Sequence, residues 1–251
     1  MSWPHACLLL AAGLCAGTVN AIAGGGTLLS FPALLLVGLS PVVANVTNTV
    51  AVWPGYLSGT VGYRAQVAED VPRHMDLVVM ATVGAVVGTV LLLTAPASVF
   101  RRLVPFLVLA ATGLLAAQPW LSARLEKARQ GRDPAGPWGR RAGIGVAATY
   151  GAYFGGGLGI VLLAILALTL RADLRRLNGL KTALSLLINT VALVGFALFG
   201  PVDWLAVAII APASLVGGSV GAALALRLDS RSLRRVVVIF GCGVGVRLLT
   251  A

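Results

Sequence analysis

The sequence predicts an all-α polytopic membrane protein made of two inverted five-segment repeats, and three observations lead there. Hydrophobic residues make up 58% of the 251 and charged residues 11%, which leaves too little polar surface to solvate a globular body of this size. Apolar runs recur from Ala6 to Leu249 with only short charged interruptions, the pattern of eight to ten membrane segments with no room for a separate soluble domain. Two glycine triplets, in AGGGTLLSFP at 23–32 and FGGGLGIVLL at 154–163, break apolar sequence about one half-chain apart. Broken helices at matching places in two halves mark transporters that bind near the bilayer midplane.

The first repeat, 1–117, reads as segments at 6–22, 27–38, 43–62, 76–94 and 103–117. A polar stretch at 118–141 is expected to be a cytoplasmic connecting loop. The second repeat, 142–251, reads as 142–154, 158–170, 178–199, 203–225 and 232–249. A shift of 133 residues lays Asn45 on Asn178, Asn48 on Lys181, Gly62 on Gly195, Gly84 and Gly88 on Gly217 and Gly221, and Arg101-Arg102 on Arg234-Arg235. The triplets themselves align at a shift of 131. One shared offset across asparagine, glycine and arginine positions is the signature of duplication. The segments after the triplets hold only 12 or 13 residues, against the ~20 a span requires. Each triplet is therefore expected to be the tip of a re-entrant hairpin whose unwound backbone is buried in protein or lines a cavity.

Charge gives an orientation. With the central loop cytoplasmic, fifteen basic residues fall inside, in the loops Arg64–Arg73, Arg124–Arg141, Arg171–Arg176 and Arg227–Arg235. Three fall outside, Arg101, Arg102 and Arg247, as the positive-inside rule requires. Three crossings per repeat then invert the halves and put both termini on the face opposite the central loop. The +11 charge is explained by these loops and not by nucleic-acid binding. Lys and Arg are absent before Arg64, so no cleaved signal peptide is expected. Cys7, Cys15 and Cys242 lie in apolar segments without metal-type spacing and read as buried structural thiols.

The chemistry gathers at the breaks. Asn20, Gly24, Gly25, Gly26, Thr27 and Ser30 cluster at the first, where glycine backbone and a following helix N-terminus suit an anion. Asn45 and Asn48, one turn apart, are read as its partners; Asn178 and Lys181, with Asn189 further along, as partners of the second break at Gly155, Gly156 and Gly157. Tyr150, Tyr153 and Phe154 precede the second triplet and read either as walls of the same cavity or as ordinary interfacial and packing aromatics. Lys181 is the one charge inside an apolar run, and an intramembrane lysine costs ~3 kcal/mol on insertion scales. A lysine snorkelling to the interface is the bland reading. The pairs Gly84/Gly88 and Gly217/Gly221 read as helix-packing motifs, and such spacing is compatible with a homodimer. All eight acids fall in or beside loops, and His5 and His74 are single. No metal, cofactor or catalytic constellation is expected, and the chain does not read as an enzyme.

The stretch GTVNAIAGGGTLLSFPALLLVGLSPVVANVTNTVAVWPGYLSG at 17–59 resembles the opening of the sulfite exporter TauE/SafE family. YGAYFGGGLGIVLLAILAL at 150–168, followed by NGLKTALSLLINTVA at 178–192, is similar to that family's second repeat. The resemblance implies a bacterial inner-membrane protein that moves small sulfur-containing or organic anions such as sulfite, sulfoacetate or other sulfonates. A small anion held between the repeats and released by rocking of one against the other is the mechanism expected. An anion channel and a gradient-coupled importer are the alternatives.

Overall fold

The computed structural model describes residues 2–22, 24–131, 136–224 and 231–250. These residues form helices α1 (Trp3–Ile22), α2 (Thr27–Leu36), α3 (Pro41–Val61), α4 (Arg64–Asp70), α5 (Met75–Thr94), α6 (Ala97–Gly131), α7 (Pro137–Tyr153), α8 (Leu158–Thr169), α9 (Leu174–Phe199), α10 (Trp204–Leu224) and α11 (Arg231–Thr250). No strand occurs among the described residues. Five helices are long and apolar enough to cross a membrane: α1, α5, α6, α9 and α10. Their outer faces carry exposed Leu, Val and Phe, including Val79, Phe106 and Phe199, as a surface solvated by lipid requires.

Two expectations need correction. Within the stretch 118–141 the described residues are mostly helical, because α6 continues to Gly131 and α7 begins at Pro137. Its Ala-Arg-Leu-Glu-Lys-Ala-Arg run is made of strong helix formers, which carry the helix on past the apolar part. The thiols of Cys7, Cys15 and Cys242 are exposed, not buried; on a lipid-facing surface a small apolar side chain gains nothing by hiding. Only one arm of each glycine hairpin is short. Helix α2 has 10 residues and α8 has 12, whereas α1 has 20 and α7 has 17. Ala23, Arg132 and Arg227, and the side chains of Lys127, Arg129, Arg231, Arg234 and Arg235, lie outside the described residues.

Helix contacts exchange between the halves. Helix α1 packs on α10 and α5 on α7; α3 packs on α10 and α5 on α9; α6 meets α8 and α2 meets α11; α3 meets α9 and α6 meets α11. Close approach is made possible by glycine. A Cβ on Gly84 or Gly88 would overlap the carbonyls of Gly145 or Thr149, and one on Gly217 or Gly221 those of Leu14 or Thr18. Leu14 and Thr18 correspond to Gly145 and Thr149 at the offset of the triplets. The same contact is therefore built twice, and the packing role read for these glycines holds.

Directions follow from residue pairs. Gly17 lies against Gly55 and Ala21 against Gly59, so α1 and α3 run the same way. The chain between them, through α2, thus returns to the side on which α1 began. Helices α3 and α9 run in opposite directions: Trp53 Nε1 donates to Thr190 Oγ1 at 2.8 Å and Thr60 Oγ1 to the Thr182 carbonyl at 3.3 Å. One end of the bundle is tied by charge. Asp76 accepts from Arg141 at 2.9 Å and pairs with Arg140 at 3.5 Å, while Glu69 binds Arg73 and Arg176. Arg176 also lies 3.7 Å from the buried Asp70. The segments 64–76, 140–141 and 173–176 therefore share an end.

Candidate functional site

The two glycine breaks touch. Gly24, with φ of 79°, lies so near Gly159 that a Cβ on it would sit 2.7 Å from the Gly159 Cα. Thr27 Oγ1 approaches Gly155, and the rings of Phe31 and Phe154 meet edge-on at 5.6 Å between centroids. Helices α2 and α8 thus start beside one another. Beside the junction, the Tyr56 hydroxyl of α3 is placed between the side chains of Thr27 and Asn189. Tyr56 and Asn189 stand at the same 133-residue offset that aligns the two halves of the sequence. From that pair Lys181 lies eight residues toward one end and Asn48 eight residues toward the other. At the helical rise each is displaced by about 12 Å.

The first break is organised by Asn20. Its Oδ1 accepts from the Gly26 amide at 2.7 Å, which fixes the turn, and its Nδ2 is buried with no acceptor. Contacts run from Ala21 to Gly59 and from Thr60 to Thr182, so Lys181 stands at the level of this break. Lys181 is 3% exposed and has neither a hydrogen-bond acceptor nor a carboxylate partner among the described residues. A snorkelling ammonium reaches water or headgroups, whereas the Lys181 side chain as a whole is buried in the bundle. The buried Gly25 and Thr27 amides at the start of α2 make no hydrogen bond to another described residue. Asn178, one turn before Lys181, is half-buried.

The second break is braced from the other half. Asn45 Nδ2 donates to the Tyr153 carbonyl at 2.9 Å, and Tyr150 gives its hydroxyl proton to the Gly156 carbonyl. Gly155 and Gly157 have φ of 80° and 74°, open only to glycine without strain. Gly156 has no such φ, but a Cβ there would strike the Phe154 ring at 2.6 Å. The oxygens Asn45 Oδ1 and Asn48 Oδ1 are buried without a donor. Tyr153 contributes its carbonyl to this arrangement while its ring packs on Phe100, 5.6 Å between centroids.

The expected partnership is therefore crossed. Asn45 belongs to the second break and Lys181 stands level with the first, because the antiparallel crossing of α3 and α9 carries each stripe past the opposite hairpin. Tyr56 was not among the residues singled out, although the repeat offset that laid Asn48 on Lys181 also lays Tyr56 on Asn189. That coincidence was the available signal. Among the described residues no group of three His, Cys, Asp or Glu side chains is placed to hold a metal.

Comparison with known proteins follows the same lines. A family model described as "Sulfite exporter TauE/SafE" matches residues 9–248. A "Probable membrane transporter protein" of Haemophilus influenzae is 26% identical over 235 residues, covering 92% of this chain and 89% of the relative. The "Probable membrane transporter protein YfcA" of Escherichia coli K12 is 27% identical over 234 residues, covering 93% and 86%. A "Probable membrane transporter protein ORF9" of Sinorhizobium is 31% identical over 102 residues, 41% of this chain and 39% of the relative. No solved structure matches significantly. With both glycine hairpins and all the intervening helices inside the matched region, the chain belongs to the sulfite exporter TauE/SafE family of membrane proteins.

Proposed function

We propose that this protein exports a small sulfur-containing or organic anion, such as sulfite, sulfoacetate or another sulfonate, across the bacterial inner membrane. The observation that carries the reading is Lys181, a residue 3% exposed that has no partner among the described residues, at the level of a break that also offers Asn20 Nδ2 and helix N-terminal amides that bond to no other described residue. Each of these groups requires an acceptor, and one anion supplies it to all. In this reading residues 1–117 and 142–251 are inverted repeats, a relation supported by the exchanged helix contacts and the opposed α3 and α9. Rocking of one repeat on the other opens the site to each side in turn. The ion-paired end, with its many arginines, is cytoplasmic, and export of one negative charge from a negative interior gains ~2.3 kcal/mol per 100 mV. The test is a thermal-shift screen of purified protein against sulfite, sulfate, sulfoacetate, thiosulfate and small carboxylates. A saturable upward shift by at least one anion, absent in Lys181→Met, is the expected result. Equal responses of both proteins would overturn the site.

A further inference from the structure

The second break does not repeat the chemistry of the first, although the fold repeats its shape. Its fully buried side-chain atoms without a partner are oxygens. Asn45 Oδ1 and Asn48 Oδ1 belong to side chains that are 0% and 1% exposed, and neither oxygen receives a donor. They are one helical turn apart on the same face of α3, the spacing at which side chains meet. The Asn45 amide cannot be turned round to relieve this, because its nitrogen already donates to the Tyr153 carbonyl; the Asn48 amide bonds to no other described residue, so whatever fills the gap sets which way it faces. Helix α7 ends at this point, and the carbonyls of Gly151 and Ala152 in its last turn receive no amide from another described residue. A helix C-terminus adds partial negative charge. Buried acceptors left in this state are strongly disfavoured unless a donor or a cation fills the gap.

We infer that the second glycine break holds a monovalent cation of sodium size, coordinated by Asn45 Oδ1 and Asn48 Oδ1 at the C-terminal end of α7. Neutral amide and carbonyl oxygens at a broken helix are the donor set such an ion takes. The repeat gives an independent reason for a positive charge there. Asn48 is equivalent to Lys181, so the place that the second half fills with a tethered ammonium is in the first half an oxygen without a partner. One cation is covalent and the other exchangeable. The cation site stands on this geometry, and only its effect on the anion rests on the proposed function: a bound cation offsets the negative end of α7 beside the break that takes the anion.

The experiment compares thermal unfolding of the purified protein in sodium chloride and in choline chloride at equal ionic strength and without added substrate anion. Sodium should raise the Tm by roughly 3–8 °C at saturation, and choline should not. Asn48→Ala should lose the sodium response. Asn48→Lys, which places an ammonium where Lys181 has one, should be insensitive to sodium and at least as stable as the sodium-bound protein. Should Asn48→Ala fail to fold, Asn48→Lys decides. A wild-type protein indifferent to sodium, or Asn48 variants that respond as it does, would overturn the inference, the oxygens then being satisfied by water. Lys181→Met should keep the full sodium shift while losing the anion response, so the two sites fail separately.

Discussion

Among the described residues, the first glycine break leaves over donors, the buried Asn20 Nδ2 and the ammonium of Lys181, a residue 3% exposed; the second leaves over buried acceptors, Asn45 Oδ1 and Asn48 Oδ1. The backbone does almost the same thing in both places. Each break follows a longer helix, turns at a glycine with positive φ, Gly24 in one and Gly155 in the other, and starts a helix too short to span. Glycine contacts that a side chain would block fix where the breaks meet. A few unmatched positions fix what each break wants. Asn48 against Lys181 is one; Asn20 against Gly151 is another, at the offset of the triplets. The shape is nearly symmetric and the chemistry is not.

The backbone side of the comparison is the one most easily broken. Gly24→Ala must hold a left-handed φ and push against Gly159 Cα. Strain and overpacking together should cost about 3–5 kcal/mol, read as a large fall in Tm or loss of folded protein in detergent. Gly25→Ala is its control: no positive φ is needed there, and the new methyl would meet Leu115 at an ordinary 3.4 Å. It should change stability by less than about 1 kcal/mol. Equal sensitivity at the two glycines would mean that the breaks do not meet as described.

Asparagine substitutions sharpen the chemical side. Asn20→Leu strands the Gly26 amide, and Asn45→Leu strands the Tyr153 carbonyl. Each should lower stability by about 1–3 kcal/mol, a similar loss from two unlike sites. Their effects on anion binding in sodium-free buffer should part company. Asn20→Leu removes a donor from the anion's own break and should weaken affinity severalfold, whereas Asn45→Leu should leave it nearly unchanged. An identical response of both would show that the breaks share one site.

The smallest effect concerns the tied end. Arg176 and then Arg73 hold the Glu69 carboxyl below its ordinary value of 4.5. A carboxylate depressed in the folded state contributes stability above its unfolded value and loses it as pH falls through the folded one. The link between α4 and α9 should therefore be constant from pH 5 to 8 and weaken only below about pH 4. Glu69 is exposed, so Glu69→Gln should lower the Tm only slightly at neutral pH and not at all in strong acid. Thermal unfolding of both proteins across that range checks it.

Much of this arrangement was legible in the sequence because it depends on composition and period. Apolar segments, the glycine hairpins and the repeat offset are local or self-referential signals, and most helix bounds fall within a few residues of those read. The run from Gln118 to Gly131 was misread because polarity was taken for a loop, when Arg, Glu, Lys and Ala are as content in a helix that has left the membrane. The residues of the site were also legible one by one. Which break each belongs to was not, since that depends on the antiparallel crossing of α3 and α9, set by tertiary contacts such as Trp53 with Thr190 and Thr60 with Thr182. The thiols were misplaced because burial was reckoned against water when the surrounding medium is lipid.

The central claim is that an anion neutralises Lys181 at the first break. Removing an ammonium that has no partner among the described residues relieves a desolvation cost, so Lys181→Met should make the anion-free protein more stable while destroying its binding site. The direct measurement is calorimetric titration of wild type and Lys181→Met with the anion that gives the largest thermal shift, each protein's anion-free Tm being taken alongside. The account predicts at least a thirtyfold loss of affinity, the scale for truncating one partner of a buried charge pair, together with an unchanged or higher Tm. An affinity within threefold of wild type would contradict it, whatever the Tm.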